Sequence, residues 1–376
     1  MSTLHPQTII LITGVMGLLM SMVLFSLRRN CPPNIHGLSQ WAAAPLCLFF
    51  GTLATALRGT VLDTPAIMLS NLLFFVGAYV SLEGSQRFLG QPPRRQPWLG
   101  VVAGSWVLIT WYTVATPNYP YRLFIFTLCM TILCGAHAWL MLRHGPKTFS
   151  GRMASAVLLA VTAVQVLRSI TAVSLPAGDG MFDRTPIQLL YLTSYAFTML
   201  LITISQVVMV TDQMRHEFEH LANHDSLTDA FTRRHMNEAL QLELDRSARH
   251  GRTVALLMLD LDHFKTINDT YGHQTGDQVL IEFVATVKTT LRKEDQLGRF
   301  GGEEFIVLLP ECAQEAALIT AERIRVAVAN ARQPACTVSI GLGISRPGDS
   351  LNSLVGRADA AMYRAKELGR NRVEVG

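Results

Sequence analysis

The chain has 376 residues, with 32 Lys and Arg against 28 Asp and Glu, a formal net charge of +4. Residues 1–210 carry 12 basic and 4 acidic side chains (net +8), whereas residues 211–376 carry 20 and 24 (net −4). One globular domain does not segregate charge in this way and a membrane part followed by a soluble part does; a mean hydropathy of +0.28 agrees, and a slightly acidic soluble half argues against a nucleic-acid partner.

Seven apolar runs, at approximately 8–27, 38–57, 65–82, 98–116, 122–142, 153–175 and 187–210, reach the about 20 residues that a membrane-crossing helix needs. The first run lacks a basic start and a small-residue cleavage site, so it reads as a span and not as a cleaved leader. The first, third and fifth loops carry Arg28, Arg29, Arg87, Arg94, Arg95, Arg143, Lys147 and Arg152, against Arg58, Arg122 and Arg184 in the even loops. This bias places the odd loops in the cytoplasm and the N-terminus outside, and delivers the chain to the cytoplasm after the seventh span. The expected location is the bacterial inner membrane, multi-pass in the lipid bilayer.

Arg168 interrupts the sixth run, where a guanidinium needs a partner, a water cavity or a route to the interface. It reads either as a snorkelling or bundle-stabilising residue, or as part of a ligand site shared with polar residues such as Gln165 and Asn71. His36, His137 and His144 are scattered and form no metal or haem constellation. The six cysteines (Cys31, Cys47, Cys129, Cys134, Cys312 and Cys336) form no C-x-x-C pair and read as reduced.

After the last span, Val207, Thr211, Met214, Phe218 and Leu221 recur in steps of four and three. This is a two-heptad seam, suited to a parallel dimer, although a plain amphipathic helix packed on its own domain fits as well. The organisation expected is thus a seven-helix transmembrane sensor domain over 1–210, a connecting helix over 205–224 and a soluble domain over 223–376.

In the soluble part, 253–261 reads as a central strand, 276–291 as a helix, 296–300 and 305–310 as a hairpin about Gly301-Gly302, 314–329 as a helix, 336–344 as a strand and 352–369 as a helix. That order implies an α+β ferredoxin-like sheet with helices packed on one face. Carboxylates gather at strand ends, in Asp260-Leu261-Asp262 and in Glu303-Glu304 after the glycine turn. Carboxylates crowded on a rigid sheet are kept ionised by a divalent cation, and oxygen ligands completed by substrate phosphates are the pattern for Mg²⁺. The glycines leave room for a ring to lie against the hairpin backbone.

Gly301-Gly302-Glu303-Glu304-Phe305 resembles the signature turn of the GGDEF family of diguanylate cyclases. Asp225-Ser226-Leu227-Thr228 is similar to its D-x-L-T segment, and 260–269 to its D-x-D-x-F-K-x-x-N-D segment. Tyr271-Gly272-His273 and Gly276-Asp277 follow; Val338 to Gly341, Ala365-Lys366 and Gly369 to Asn371 resemble its closing segments. The resemblance covers about residues 223–376.

The resemblance implies a nucleotidyl cyclase-like fold and the condensation of two GTP into cyclic di-GMP and two pyrophosphates, by a homodimer with one GTP per domain. Asp260, Glu303 and the carbonyl of Leu261 would hold two Mg²⁺. Asn268 and Asp277 would read the guanine edge. Lys265, Lys366 and Arg370 would hold the triphosphate with backbone amides near His263 and Phe264, beside Gly301 and Gly302. Glu304 is the implied general base. Arg292 and Asp295 match an inhibitory R-x-x-D site for the product, with Arg323 as a secondary contact. Lys366 and Arg370 would share a face if the last helix runs that far.

One departure stands out: where the family usually continues D-x-L-T with Gly-Leu, this chain has Asp229-Ala230. It puts the local turn in question and not the chemistry. Competing readings are a non-enzymatic receptor that binds cyclic di-GMP at Arg292 and Asp295, and a transporter. The second lacks visible repeats or paired broken helices.

Overall fold

The computed structural model describes residues 5–58, 62–174, 182, 185–331 and 336–376; Arg184 and the last residue of the sixth apolar run lie outside them. The chain divides into two compact units, Met1–Arg215 and His216–Gly376.

The first unit is helical: α1 (Pro6–Asn30), α2 (Leu38–Ala56), α3 (Asp63–Phe88), α4 (Arg95–Val114), α5 (Tyr119–His144), α6 (Phe149–Ser174) and α7 (Pro186–Asn223), the last running on into the second unit. All seven are long and apolar enough to cross a membrane. Helix termini follow local chemistry: Pro6 sits in the first turn of α1, and the Asn118 side chain accepts the Tyr121 amide at the start of α5. Small residues set the spacing of α1, α2 and α3. A Cβ added to Gly14 would meet Thr52 Oγ1 at 2.1 Å, and one on Gly77 would meet the Ala44 carbonyl at 3.1 Å. Large apolar side chains such as Leu11, Val107, Trp139 and Phe197 face outward.

Several buried polar groups of this unit are paired with one another. Trp41 Nε1 donates to Ser85 Oγ at 3.0 Å, which contacts His137 Nε2 at 2.6 Å. Glu83 accepts from Tyr79, Arg87 and Arg95 at 2.8, 2.7 and 3.1 Å. Buried Arg168 donates to Gln188 Oε1 and lies 4.5 Å over the Tyr191 ring, so it is held within the bundle and does not snorkel. It also borders a cavity of about 310 Å³ lined by Arg58, Asn71 and Arg122. Gln165 accepts from Tyr195 at 3.2 Å and faces a different cavity.

The heptad positions of α7 split. Val207 and Met214 pack on the first unit's own core, as the amphipathic alternative expects. Thr211 is exposed and bonds back to the Val207 carbonyl. Only Phe218 and Leu221, 56% and 62% exposed, remain for another partner.

The second unit contains β1 (Phe231–Thr232), α8 (Arg233–His250), β2 (Ala255–Leu261), α9 (Phe264–Tyr271), α10 (His273–Thr290), β3 (Gln296–Gly301), β4 (Glu304–Leu309), α11 (Gln314–Ala329), β5 (Val338–Ile344), α12 (Leu351–Glu367) and β6 (Val373–Val375). They form one sheet in the order β1-β3-β4-β2-β5-β6. The inner four strands pair antiparallel, in the order of a ferredoxin-like β-α-β-β-α-β unit, and β1 and β6 add parallel edges.

The helices cover both faces, which corrects the expectation of one covered face. Leu257, Leu259 and Leu261 pack with Val279, Leu280 and Phe283 of α10 and Ala321 and Ile324 of α11. Leu256 and Met258 pack with Met236 and Leu240 of α8 and Leu354 and Ala358 of α12. All seven residues of β2 are buried. An unbroken apolar run is what a strand covered on both sides requires, where one-sided cover would give alternation.

Candidate active site

The site forms where β2 ends beside the β3–β4 hairpin. Cross-strand register sets Asp260 directly opposite Glu304 on one side and Ser339 on the other. Leu261 donates its amide to the Glu303 carbonyl at 3.3 Å, which stitches the strand end to the turn. Asp260, only 5% exposed, lies 2.7 Å from Lys366 Nζ of α12. Burial holds the Asp260 carboxyl above the ordinary carboxylate range; the Lys366 ammonium opposes this, and the neighbouring Glu303 and Glu304 carboxylates reinforce it. Three carboxylates against one ammonium is the donor set a divalent cation fits: hard oxygens from a rigid strand and turn, with excess negative charge to neutralise.

The second aspartate of the D-x-D segment does something else. Buried Asp262 accepts from Thr337 Oγ1 and Ser339 Oγ, both at 2.6 Å, and from the Asn371 amide at 3.0 Å. Asp262 keeps its place beside β5, its amide donating to the Thr337 carbonyl at 2.9 Å, and its carboxylate meets Ser339, the residue opposite Asp260, before His263 takes a left-handed φ of 57°. It ties β2 to the loop after α12. That helix stops at Glu367, and Arg370 and Asn371 take φ of 63° and 44°. Arg370 therefore lies outside the helix, and the helical face expected for Lys366 and Arg370 together does not form. Lys366 is held by Asp260, and the Arg370 loop by Asp262.

His263 is the N-cap of α9, whose first backbone bond runs from the Ile267 amide to the His263 carbonyl at 3.2 Å. The preceding amides, from Phe264 to Thr266, belong to a helix N-terminus, a setting suited to phosphate. Lys265 is exposed on the same turn, whereas Phe264 is buried. Asn268 and Asp277 are brought together across α9 and α10: a Cβ on Gly276 would meet Asn268 Oδ1 at 1.8 Å. Gly276 is thus required by the Asn268 amide that lies against it, next to exposed Asp277.

Arg292, Asp295 and Arg323 gather at the far end of α10. The Asp295 carboxylate accepts the Arg292 amide at 2.8 Å, and the Asp295 amide returns a bond to the Arg292 carbonyl at 3.2 Å. Arg323 donates to the Thr290 carbonyl at 2.6 Å. Burial raises the Asp295 carboxyl above its usual range. The Arg292 residue is exposed, and its backbone, not its guanidinium, holds Asp295.

Sequence reasoning missed Arg299. Its guanidinium donates to the Gly302 carbonyl at 3.0 and 2.8 Å and to Asp225 Oδ1 at 3.0 Å. Asp225 also accepts from the amide and hydroxyl of Thr228. One arginine thus joins the D-x-L-T turn to the glycine turn, at a hairpin where β3 carries a bulge between Arg299 and Gly301. An arginine three residues before Gly302 and an aspartate opening the D-x-L-T segment were the available signals.

With this geometry, residues 222–372 match the sequence profile described as the GGDEF domain of diguanylate cyclases. The diguanylate cyclase DgcM of Escherichia coli strain K12 is 42% identical over 172 residues, 44% of this chain and 41% of its own. The chain therefore spans about two fifths of the length of that curated relative. The probable diguanylate cyclase DgcC of the same organism is 29% identical over 284 residues, 73% of this chain and 71% of its own. Among solved structures, the coiled coil and GGDEF domain of DgcB from Caulobacter crescentus, in complex with c-di-GMP, is 33% identical; it covers 47% of this chain and 99% of that one, with a TM-score of 0.44.

Proposed function

Given that residues 222–372 belong to the GGDEF family of diguanylate cyclase domains, we propose that the whole chain is a membrane-bound diguanylate cyclase, condensing two GTP into cyclic di-GMP and two pyrophosphates. The observation that carries this reading is the register of β2 and β4, which sets Asp260 opposite Glu304 with Lys366 Nζ 2.7 Å away. Relatives named as diguanylate cyclases support it.

In this reading Asn268 and Asp277 orient the guanine, and Lys265, Lys366, Arg370 and the α9 amides hold the triphosphate. Glu304 takes the proton of a 3′-hydroxyl, whose oxygen forms a bond to the α-phosphorus of the other nucleotide as the bond to pyrophosphate breaks. Two such condensations close the ring. Two Mg²⁺, held by Asp260, Glu303 and the Leu261 carbonyl, supply charge neutralisation on the attacking and leaving oxygens when bound. Each domain holds one GTP, so two chains must face each other, and exposed Phe218 and Leu221 at the end of α7 favour a homodimer there. The seven apolar helices, with basic odd loops, support a cyclase on the cytoplasmic side of the inner membrane. The bundle acts as its sensor, and Arg292, Asp295 and Arg323 form the site of product inhibition.

Full-length protein in detergent, given GTP and Mg²⁺, is expected to release cyclic di-GMP with two pyrophosphates. Glu304→Gln should lose at least about 100-fold of that rate and keep nucleotide binding. A second reading, a receptor without turnover, is favoured by the assembled Arg292, Asp295 and Arg323 loop. An intact dimer that binds cyclic di-GMP and makes none would establish the receptor instead. Arg292→Ala should abolish inhibition by added product; an unchanged inhibition curve removes that site.

A further inference from the structure

The turn that departs from the family pattern lies against the end of α7. His220 and His224 are one helical turn apart, and their rings stack in parallel, 4.2 Å between centroids and 4° between planes. Both approach one carboxylate oxygen of Asp229: His220 Nε2 and His224 Nδ1 each lie 3.3 Å from Asp229 Oδ1, and His224 Nδ1 also lies 3.2 Å from the Asp229 carbonyl oxygen, a contact that metal binding would replace. Asp229 takes φ of 56°, the left-handed region that glycine adopts most freely and aspartate tolerates better than most side chains. The position that would suit glycine thus presents a carboxylate to two imidazoles.

We propose that His220, His224 and Asp229 form a binding site for a divalent transition-metal ion of the zinc class, separate from the acidic site at β2 and β4. A charge-assisted N–H···O bond measures about 2.7–2.9 Å, shorter than either contact here. With bonds of about 2.0 Å, the edge of a tetrahedral zinc site spans about 3.3 Å, the separation observed twice. The ligand atoms of the three residues all lie within 4.8 Å of one another. Two imidazole nitrogens and one carboxylate leave the fourth position to water. That set favours zinc, cobalt or nickel over magnesium, which demands oxygen donors in an octahedron.

Lys288 is the one other charged group paired with this carboxylate among the described residues. Its ammonium lies 3.4 Å from Oδ2, the oxygen turned from the histidines, and donates to the Asp229 carbonyl at 3.0 Å. It lowers affinity without blocking Oδ1. The His224 ring also packs against Phe231, tilted by 44° with centroids 4.6 Å apart, which braces it. Bound metal would clamp the last turn of α7 to the loop whose Asp225 engages Arg299.

The test uses the full chain in detergent, stripped of metal by chelator and then held in millimolar Mg²⁺. Zinc is titrated against a chromophoric chelator, and cobalt is substituted to read tetrahedral visible absorption. One zinc per chain is expected. His220→Ala and Asp229→Gly should each weaken binding at least about 100-fold and abolish the tetrahedral cobalt spectrum. Glu303→Gln should leave both unchanged. Asp229→Gly relieves the backbone, so its metal-free melting temperature should equal or exceed the parent's, and lost binding there is not lost folding. Parental zinc affinity in Asp229→Gly, or zinc lost in Glu303→Gln, overturns the proposal.

Discussion

The two units treat buried charge in opposite ways. In the helical unit, Glu83 is surrounded by Tyr79, Arg87 and Arg95, and Arg168 is answered by Gln188 and Tyr191. In the sheet unit, Asp260 is buried beside Glu303 and Glu304, and Lys366 is its one ion-pair partner among the described residues. Buried charge that is matched partner for partner stabilises a fold or specifies its packing. Like charges gathered at a strand end work against the fold until something else neutralises them. Such sites are where function concentrates.

The sharpest way to break this contrast is Asp260→Asn. If Asp260 holds the metal as proposed, turnover should fall by about 1,000-fold or more, because the variant removes a ligand and the charge it answers. Stability should move the other way. A carboxyl whose folded pKa lies above its unfolded value contributes stability below the unfolded pKa, and loses it as pH rises through the folded one. At neutral pH, ionised Asp260 is therefore a cost in the metal-free chain, and the variant should melt no lower than the parent. Acidification through the raised pKa should close the gap. A variant that melts well below the parent at pH 7 would make Asp260 a structural residue like Glu83.

Asp349 supplies the opposite sign within the same unit. Arg357 engages both its oxygens, the Arg346 amide donates at 2.7 Å and Ser353 Oγ at 2.9 Å. The Arg357 guanidinium, with these donors, holds the carboxyl well below its usual range. Its stabilisation is present above about pH 3.8 and is lost as pH falls further toward the depressed value. Arg357→Ala should cost about 2 kcal/mol in denaturant unfolding at pH 7 and less at pH 2, because it strips partners from the start of α12. A constant cost across that range would refute the ionic account.

Much of this was legible before any coordinates. The continuous apolar run of β2 and the paired glutamates after Gly301-Gly302 locate the site. Its elements were missed where the pattern is weak or the chain leaves regular structure. α8 is heavily charged, and its stripe of Met236, Leu240 and Leu244 is narrow. α9 has eight residues, too few for periodicity to register. β1 and β6 are edge pieces of two and three residues. The D-x-D spacing keeps Asp262 on the face of Asp260 but does not show that Thr337, Ser339 and the Asn371 amide claim its carboxylate. Arg299 escaped notice because its partners, Asp225 and Gly302, meet only through tertiary structure.

Gly276→Ala gives the smallest of the expected effects and the most selective. An added methyl would fall 1.8 Å from Asn268 Oδ1 and 3.3 Å from Phe264 Cζ, in space the Asn268 amide already fills. The amide must swing away, while Asp260, Glu303 and Lys366, on other elements, keep their places. If Asn268 reads the guanine as proposed, its displacement removes binding that the ground and transition states share, so KM for GTP should rise about 10-fold to 100-fold, with kcat nearly unchanged. Stability should hold or improve slightly, since alanine suits the interior of α10 better than glycine. A loss of kcat at constant KM would mean that Gly276 governs the acidic site itself. The separation between nucleotide reading on α9 and α10 and charge neutralisation on β2 and β4 would then fail.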